Sequence, residues 1–274
     1  MNIRALLAPY DSGHHRRRMG LGPEHLWRAV DPLLTRKGHT TRSDVITLVD
    51  EFLTEIATTF TVARTIAERV RDCQREGWTP LVLSGNCNAS LGTVTGCGCS
   101  TTGVIWFDAH GEATTPETTR SGFLDGMGIS MLAGQCWYHL ARSVPGFAPL
   151  SGERIVLVGA RDVEPDEAGL LQRIAVNRVS RPEDLAPALD LLQTHAEIDG
   201  VYVHLDLDVI DPRVATANRW APPGGLDVAS MAYALAEVRR TMPIKAVGLA
   251  SYSPETDRDG RALRAALTMI DTVW

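Results

Sequence analysis

Short apolar runs alternate along this chain with longer stretches in which apolar residues recur every three or four positions. The runs predict buried strands at Ile3–Ala8, Pro80–Leu83, Gly103–Phe107, Arg154–Val158, Gly200–Leu205 and Ile244–Leu249. Helical spacing marks Val62–Gln74, Val228–Arg239 and Arg261–Ile270. In the second of these, Val228, Met231, Leu235 and Val238 form one stripe. Continuous apolar strands separated by amphipathic helices indicate βαβ units, hence a mostly parallel sheet covered by helices on both faces. The expected fold class is α/β, with three layers in the order α/β/α. No repeat, low-complexity tract or Pro/Gly-rich linker divides residues 1–274, so they are read as one domain.

Composition narrows the function. No stretch approaches the roughly 18 uncharged apolar residues of a membrane span. At the start of the chain a short apolar patch precedes the basic residues, the reverse of a secretion signal, and the expectation is a cytoplasmic protein. A net charge of −6 and a pI near 5.8 argue against general nucleic-acid affinity. The basic run His14 to Arg18, set among glycines and before Pro23, reads as a solvated loop. The five cysteines show no regular spacing and form no disulfide framework. Cys73 continues the stripe of Val62, Ile66 and Val70 and is assigned to the core. Cys136 follows Leu132 by four and is read the same way. Cys97 and Cys99 lack the second pair that a metal clip needs and are taken as a buried or turn pair.

In a parallel sheet, ligands gather beyond the carboxyl ends of the strands. The suggestive residues of this chain fall there. Pro80–Leu83 leads into Ser84-Gly-Asn-Cys-Asn88, and Gly103–Phe107 into Asp108-Ala-His110-Gly-Glu112. Gly200–Leu205 leads into Asp206, Asp208 and Asp211, and Ile244–Leu249 into Ser251-Tyr-Ser-Pro-Glu255-Thr-Asp257. Residues two apart in a strand share a face, so Asp206 and Asp208 are expected to converge. Acids crowded in this way repel one another unless a cation lies between them.

These segments resemble the three signatures of the ureohydrolases, the arginase and agmatinase superfamily: Gly-Gly-Asp-His-Ser, Asp-Ala-His-x-Asp and Ser-x-Asp-x-Asp-x-x-Asp-Pro. They stand in the same order as SGNCN, DAHGE and HLDLDVIDP. Gly20-Leu-Gly-Pro23, Thr115-Pro116, Ser121-Gly122 and Gly224-Gly-Leu226 extend the likeness over most of the chain. The resemblance implies a sheet of about eight strands and a pair of divalent ions, Mn²⁺ in the family. Asp108 and Asp206 would bridge the ions. His110 and Asp208 would complete one site, and Cys87 and Glu112 would complete the other, where the family has His and Asp. Thiolate is a softer ligand that favours Zn²⁺ or Fe²⁺ at the Cys87 site. A manganese pair, a mixed pair and a single ion all stay open.

Two ions roughly 3.5–4 Å apart can lower the pKa of a water toward neutrality. The implied reaction is hydrolysis of a linear, non-peptide C–N bond, with Asp108, Glu112 and Asp125 as candidate catalytic residues. Asp125 stands where the family often has a proton-relay His; it reads equally as a cap for the helical stretch that follows. Thr114, Ser121, Phe123, Ser251 and Glu255 are the candidate substrate contacts. Arg120 reads either as a carboxylate partner or as a surface residue. Phe123, Trp220 and Tyr252 are expected to make the pocket aromatic. The family's guanidinium-binding Glu is replaced within Ser251-Tyr-Ser-Pro254, and Glu255 or Asp257 could substitute for it. A guanidino or N-hydroxyguanidino substrate leads; an amidine, formimino or amide substrate is the alternative, and a non-catalytic metal-binding protein is a further class. A zinc deacetylase-like activity would need a relay His, and among the histidines only His110 falls at a suitable strand end. By resemblance the chain acts on a small molecule and assembles as a trimer or hexamer.

Overall fold

The computed structural model describes residues 1–48 and 54–274. Its centre is an eight-stranded sheet. In chain order the strands are β1 (Asn2–Ala8), β4 (Thr40–Val45), β5 (Thr79–Ser84), β6 (Thr102–Phe107), β7 (Ile155–Val158), β8 (Asn177–Val179), β9 (Gly200–Asp206) and β10 (Ile244–Ala250). Two further short strands, β2 (Tyr10–Asp11) and β3 (His14–His15), form a separate antiparallel ribbon. The sheet order is β4-β1-β5-β10-β9-β6-β7-β8, and each neighbouring pair runs parallel. The middle strands are apolar and buried because helices cover both faces. Polar residues mark the edge: β4 reads TTRSDV and is largely exposed.

Alternation along each strand divides the core in two. Ile3, Ala5 and Leu7 of β1 pack with helices α1 (Gly22–Arg36), α7 (Leu185–Gln193), α8 (Val228–Thr241) and α9 (Arg261–Val273). Leu6 and Ala8 face the opposite layer, built from α2 (Glu55–Arg75), α3 (Ala89–Cys97), α4 (Gly128–Leu132), α5 (Tyr138–Ala141) and α6 (Pro165–Arg173). All five cysteines are free and buried, Cys73 and Cys136 within this second layer.

Several expectations need correction. His14 and His15 are not a plain loop but the second strand of the ribbon, with His15 stacked on Tyr10 at 4.9 Å. The helix expected at Val62 begins at Glu55, capped by the Thr54 side chain. Asp206 ends its strand, and Leu207–Val209 form a 3-10 turn. Asp208 therefore reaches Asp206 through a turn, not through strand alternation.

What matters for function is the row of carboxyl ends. β5, β10, β9 and β6 are adjacent at the sheet centre. Their register sets Leu83 beside Leu249, Leu249 beside Leu205 and Leu205 beside Phe107. The residues that follow, from Ser84 to Asp108, thus emerge at one level.

Candidate metal centre

Asp108, Asp206 and Asp208 emerge from that row and are buried, with His110 partly open to a cavity. The backbone arranges them. Asp208 N donates to Asp206 Oδ1 at 2.8 Å, Ala109 N to Asp208 Oδ1 at 3.3 Å, and His110 N to Asp108 Oδ1 at 2.8 Å. Trp106 Nε1 holds the other Asp108 oxygen at 2.9 Å.

Two sets of potential ligands converge, each with its donor atoms within 4.8 Å of one another: Asp108, His110 and Asp208, and Cys87, Asp108 and His204. Asp108 belongs to both. Asp206 adjoins the second set, with Oδ2 accepting the Cys87 thiol at 2.9 Å; Ser251 Oγ lies 3.4 Å from the same sulfur. Glu112 stands in left-handed backbone (φ 53°), its carbonyl accepting N–H groups of Ile129 and Ser130. Its carboxyl is buried, and among the described residues its Oε2 has no partner and it joins neither converging set.

The electrostatics report the crowding. Burial, then the charges of Asp208 and Asp108, push Asp206 well above the carboxylate range. Burial and Asp108 raise Asp208 to about 6. Burial, Asp108 and Asp125 raise Glu112 well above its usual value. Burial and Asp206 do the same to the Cys87 thiol. At His110, burial is outweighed by the Asp108 hydrogen bond and the charges of Asp208 and Asp108, and its pKa rises to about 10. His110 Nδ1 lies 3.3 Å from Asp108 Oδ1 and 3.5 Å from Asp208 Oδ2, so a positive charge is favoured at that point. Carboxylates, an imidazole and a thiol packed here, with two buried polar atoms unpartnered (Glu112 Oε2 and His204 Nε2), fit divalent cations.

Asp125 is buried and does not cap its own helical turn. Its Oδ2 accepts Asn86 Nδ2 at 2.6 Å and its Oδ1 accepts Asn88 N at 3.1 Å, which clamps the loop that carries Cys87. Burial lifts its pKa to about 8 against those hydrogen bonds.

Above the acids lies a cavity of about 250 Å³. Thr114, Ser121, Phe123 and Ser251 line it, whereas Glu255 lines an adjoining outer depression of about 510 Å³. Phe123 and Trp220 border both spaces and stack at 5.8 Å, with the Arg219 guanidinium 4.7 Å from the Trp220 ring. Arg120 lines the inner space and pairs with Glu164 at 3.2 Å.

Three sequence candidates turn away. Tyr252 is buried and donates to Asp257 Oδ2 at 3.1 Å, leaving the pocket wall to Phe123 and Trp220. Asp257 also accepts Ala262 N and Leu263 N at the start of α9, so its carboxylate is committed there. Asp211 accepts the Arg213 guanidinium and backbone N–H, outside the acid cluster.

Two residues went unread in the sequence. Asn218 donates to Ser251 O at 2.9 Å and to Asp208 Oδ2 at 3.4 Å, from an irregular loop with no motif. His204 lies within β9, two residues short of its end, yet shares the Cys87 and Asp108 cluster. His110 is therefore not the sole histidine at the centre.

Fold and site together define an α/β protein with a carboxylate-rich candidate metal centre at the carboxyl edge of its sheet. A profile of the arginase family matches residues 2–274, and the chain belongs to that family of hydrolases, in which manganese binding is characteristic. An arginase of Brevibacillus brevis is 27% identical over 291 residues, covering 100% of this chain and 97% of its own. The crystal structure of arginase from Bacillus cereus superposes with a TM-score of 0.88 at 24% identity, covering 100% of this chain and 98% of that one. Formimidoylglutamase from Bacillus subtilis shares the fold at a TM-score of 0.77 and 16% identity, over 99% of this chain and 85% of its own.

Proposed function

We propose that this chain hydrolyses a linear, non-peptide C–N bond of a guanidino or N-hydroxyguanidino compound, releasing urea or hydroxyurea and an amine. One observation carries the reading: Asp108 is shared by two converging ligand sets, buried behind His110, Asp206 and Asp208, which line a cavity of small-molecule size. Asp108, His110 and Asp208 would hold one divalent ion, Mn²⁺ by its hard donor set. Cys87, Asp108 and Asp206 would hold the second, with Glu112 at its flank. When bound, the ions supply Lewis acidity and acidify water at neutral pH.

The remaining steps belong to the chain. Glu112, which lines the cavity, would give its carboxyl proton to the departing amine and regain one from the attacking water. Asp125 keeps the Cys87 loop in place through Asn86 and Asn88. Thr114, Ser121, Phe123 and Ser251 line the reacting end of the substrate, and Phe123 with Trp220 receives its carbon chain. Glu255 meets a longer substrate in the outer depression.

A second reading, an amidine or formimino substrate, is favoured by one feature. The cavity wall at Ser251 offers a hydroxyl where the family places an acid, which suits a less basic group. Urea and hydroxyurea release from a panel of both classes, assayed with Mn²⁺ and with Zn²⁺, separates the readings. Turnover confined to formimino or amide compounds would transfer the assignment to the second, and turnover of none would remove both. Five free buried thiols suit a reducing, cytoplasmic setting, and the resemblance extends the proposal to a homo-oligomer, testable by light scattering.

A further inference from the structure

His204 is 1% exposed in the middle of the sheet. Its Nδ1 lies 2.8 Å from the Tyr202 hydroxyl, while its Nε2 has no hydrogen-bond partner among the described residues. Buried polar atoms are almost always paired, so an orphan nitrogen beside a thiol and a carboxylate demands an explanation. A ring nitrogen of His204, Cys87 Sγ and an Asp108 oxygen already lie within 4.8 Å of one another.

The ring is fixed from three strands. Register sets both Trp106 of β6 and Gly248 of β10 beside His204. The Trp106 indole packs against the imidazole at 4.0 Å between centroids, and the same indole holds Asp108. Gly248 makes room for the phenol, since a Cβ there would stand 2.0 Å from the Tyr202 hydroxyl. A histidine whose one nitrogen is anchored by a hydrogen bond presents the other in a fixed direction, the usual arrangement at a metal.

We propose that His204 is a ligand of the second divalent ion, so that an imidazole from β9 replaces the one that Cys87 displaces from the loop after β5. The inference rests on the metal centre of the preceding section and names a ligand beyond it. Its donor set is thiolate, imidazole and carboxylate, against two carboxylates and an imidazole at the first site. The two sites then differ in softness, and the second selects Co²⁺, Zn²⁺ or Fe²⁺ over Mn²⁺. Loading sends the Cys87 thiol proton, now directed at Asp206 Oδ2, to solvent.

The test uses the full chain with ¹⁵N-labelled histidine and Co²⁺ as the probe. Paramagnetically shifted imidazole N–H signals count the bound histidines, and elemental analysis counts the ions. Two ions and two shifted imidazoles, from His110 and His204, are expected. In H204Q one of those signals disappears, the affinity for the second ion falls roughly 10- to 100-fold or more, and the thiolate-to-cobalt absorption weakens. Two bound ions with a single shifted imidazole in the unmutated chain would overturn the proposal, whether or not the variant folds. A chain that binds fewer than two ions would instead remove the dinuclear reading beneath it.

Discussion

Asp206 and Asp125 contribute to the same centre by different physics. Asp206 is a buried acid whose ionised form is disfavoured by burial and by its neighbours, so its charge is sustained only opposite a cation. Replacing it with Asn preserves shape and removes that charge. Asp206→Asn is expected to release one ion in elemental analysis and to lower kcat/KM by about 100- to 1000-fold, the scale of losing one preorganised electrostatic group. Asp125 acts through the chain instead, by accepting two N–H donors of the Cys87 loop. Asp125→Ala leaves the buried Asn88 N–H without its acceptor, at about 1–3 kcal/mol before water or relaxation intervenes, while the half-buried Asn86 amide keeps Asp11 Oδ1 at 3.5 Å. The denaturation midpoint should fall, and affinity for the second ion should drop roughly 10- to 100-fold. Full metal affinity with only the midpoint lowered would limit Asp125 to a stabilising role.

At the scale of elements, the Cys87 loop is as well placed as the helix behind it. Every residue of α3 is buried, and it packs along α2 at very short range. A Cβ at Gly92 would stand 2.4 Å from the Ala63 carbonyl oxygen and 2.9 Å from Ile66 Cβ. Gly92→Ala must therefore push the two helices apart, at about 1–3 kcal/mol by the usual cost of overpacking. Because α3 begins two residues after Cys87, the same shift should lower second-site metal affinity while the first site is spared. Equal loss at both sites, measured by titration, would contradict this. The complete burial of α3 also explains why helical periodicity did not reveal it: an apolar stripe requires a polar face. The central strands were legible as apolar runs for the converse reason, while β4, with its polar edge composition, was not. Strand-end acids could be found by position. His204 could not, because a mid-strand residue in an apolar run reads as packing until the neighbouring strands are known. Nor could Asn218, whose loop has no periodicity.

Across the whole molecule, the crowded groups tie folding to protons and metal. In the folded chain Asp208 titrates at about 6, Asp125 at about 8 and His110 at about 10, with Asp206 and Glu112 well above their usual values. Unfolded, the carboxyls titrate near ~4 and the imidazole near ~6.5. All five thus bind protons more tightly when folded, and stability falls with rising pH wherever the folded state holds the extra protons. The carboxyl contributions are complete below about pH 4 and are lost as pH rises through their folded values. The His110 contribution is complete below about pH 6.5 and is lost through about pH 10. Asp108, whose pKa is lowered by hydrogen bonds from His110 and Trp106 that outweigh burial, acts in the opposite sense below about pH 4, and His204, lowered by burial to about 4, does so between about pH 4 and pH 6.5. After chelation the unfolding midpoint should therefore decline steadily from pH 6 to pH 9. Saturating metal should flatten or reverse that slope, because binding requires deprotonated ligands and is favoured by the same rise in pH. Calorimetry in buffers of different ionisation enthalpy should record net proton release on loading at pH 7.5. A chelated chain whose midpoint is flat over this range would mean that these acids ionise together without penalty, and the electrostatic case for cations in their midst would fail with it.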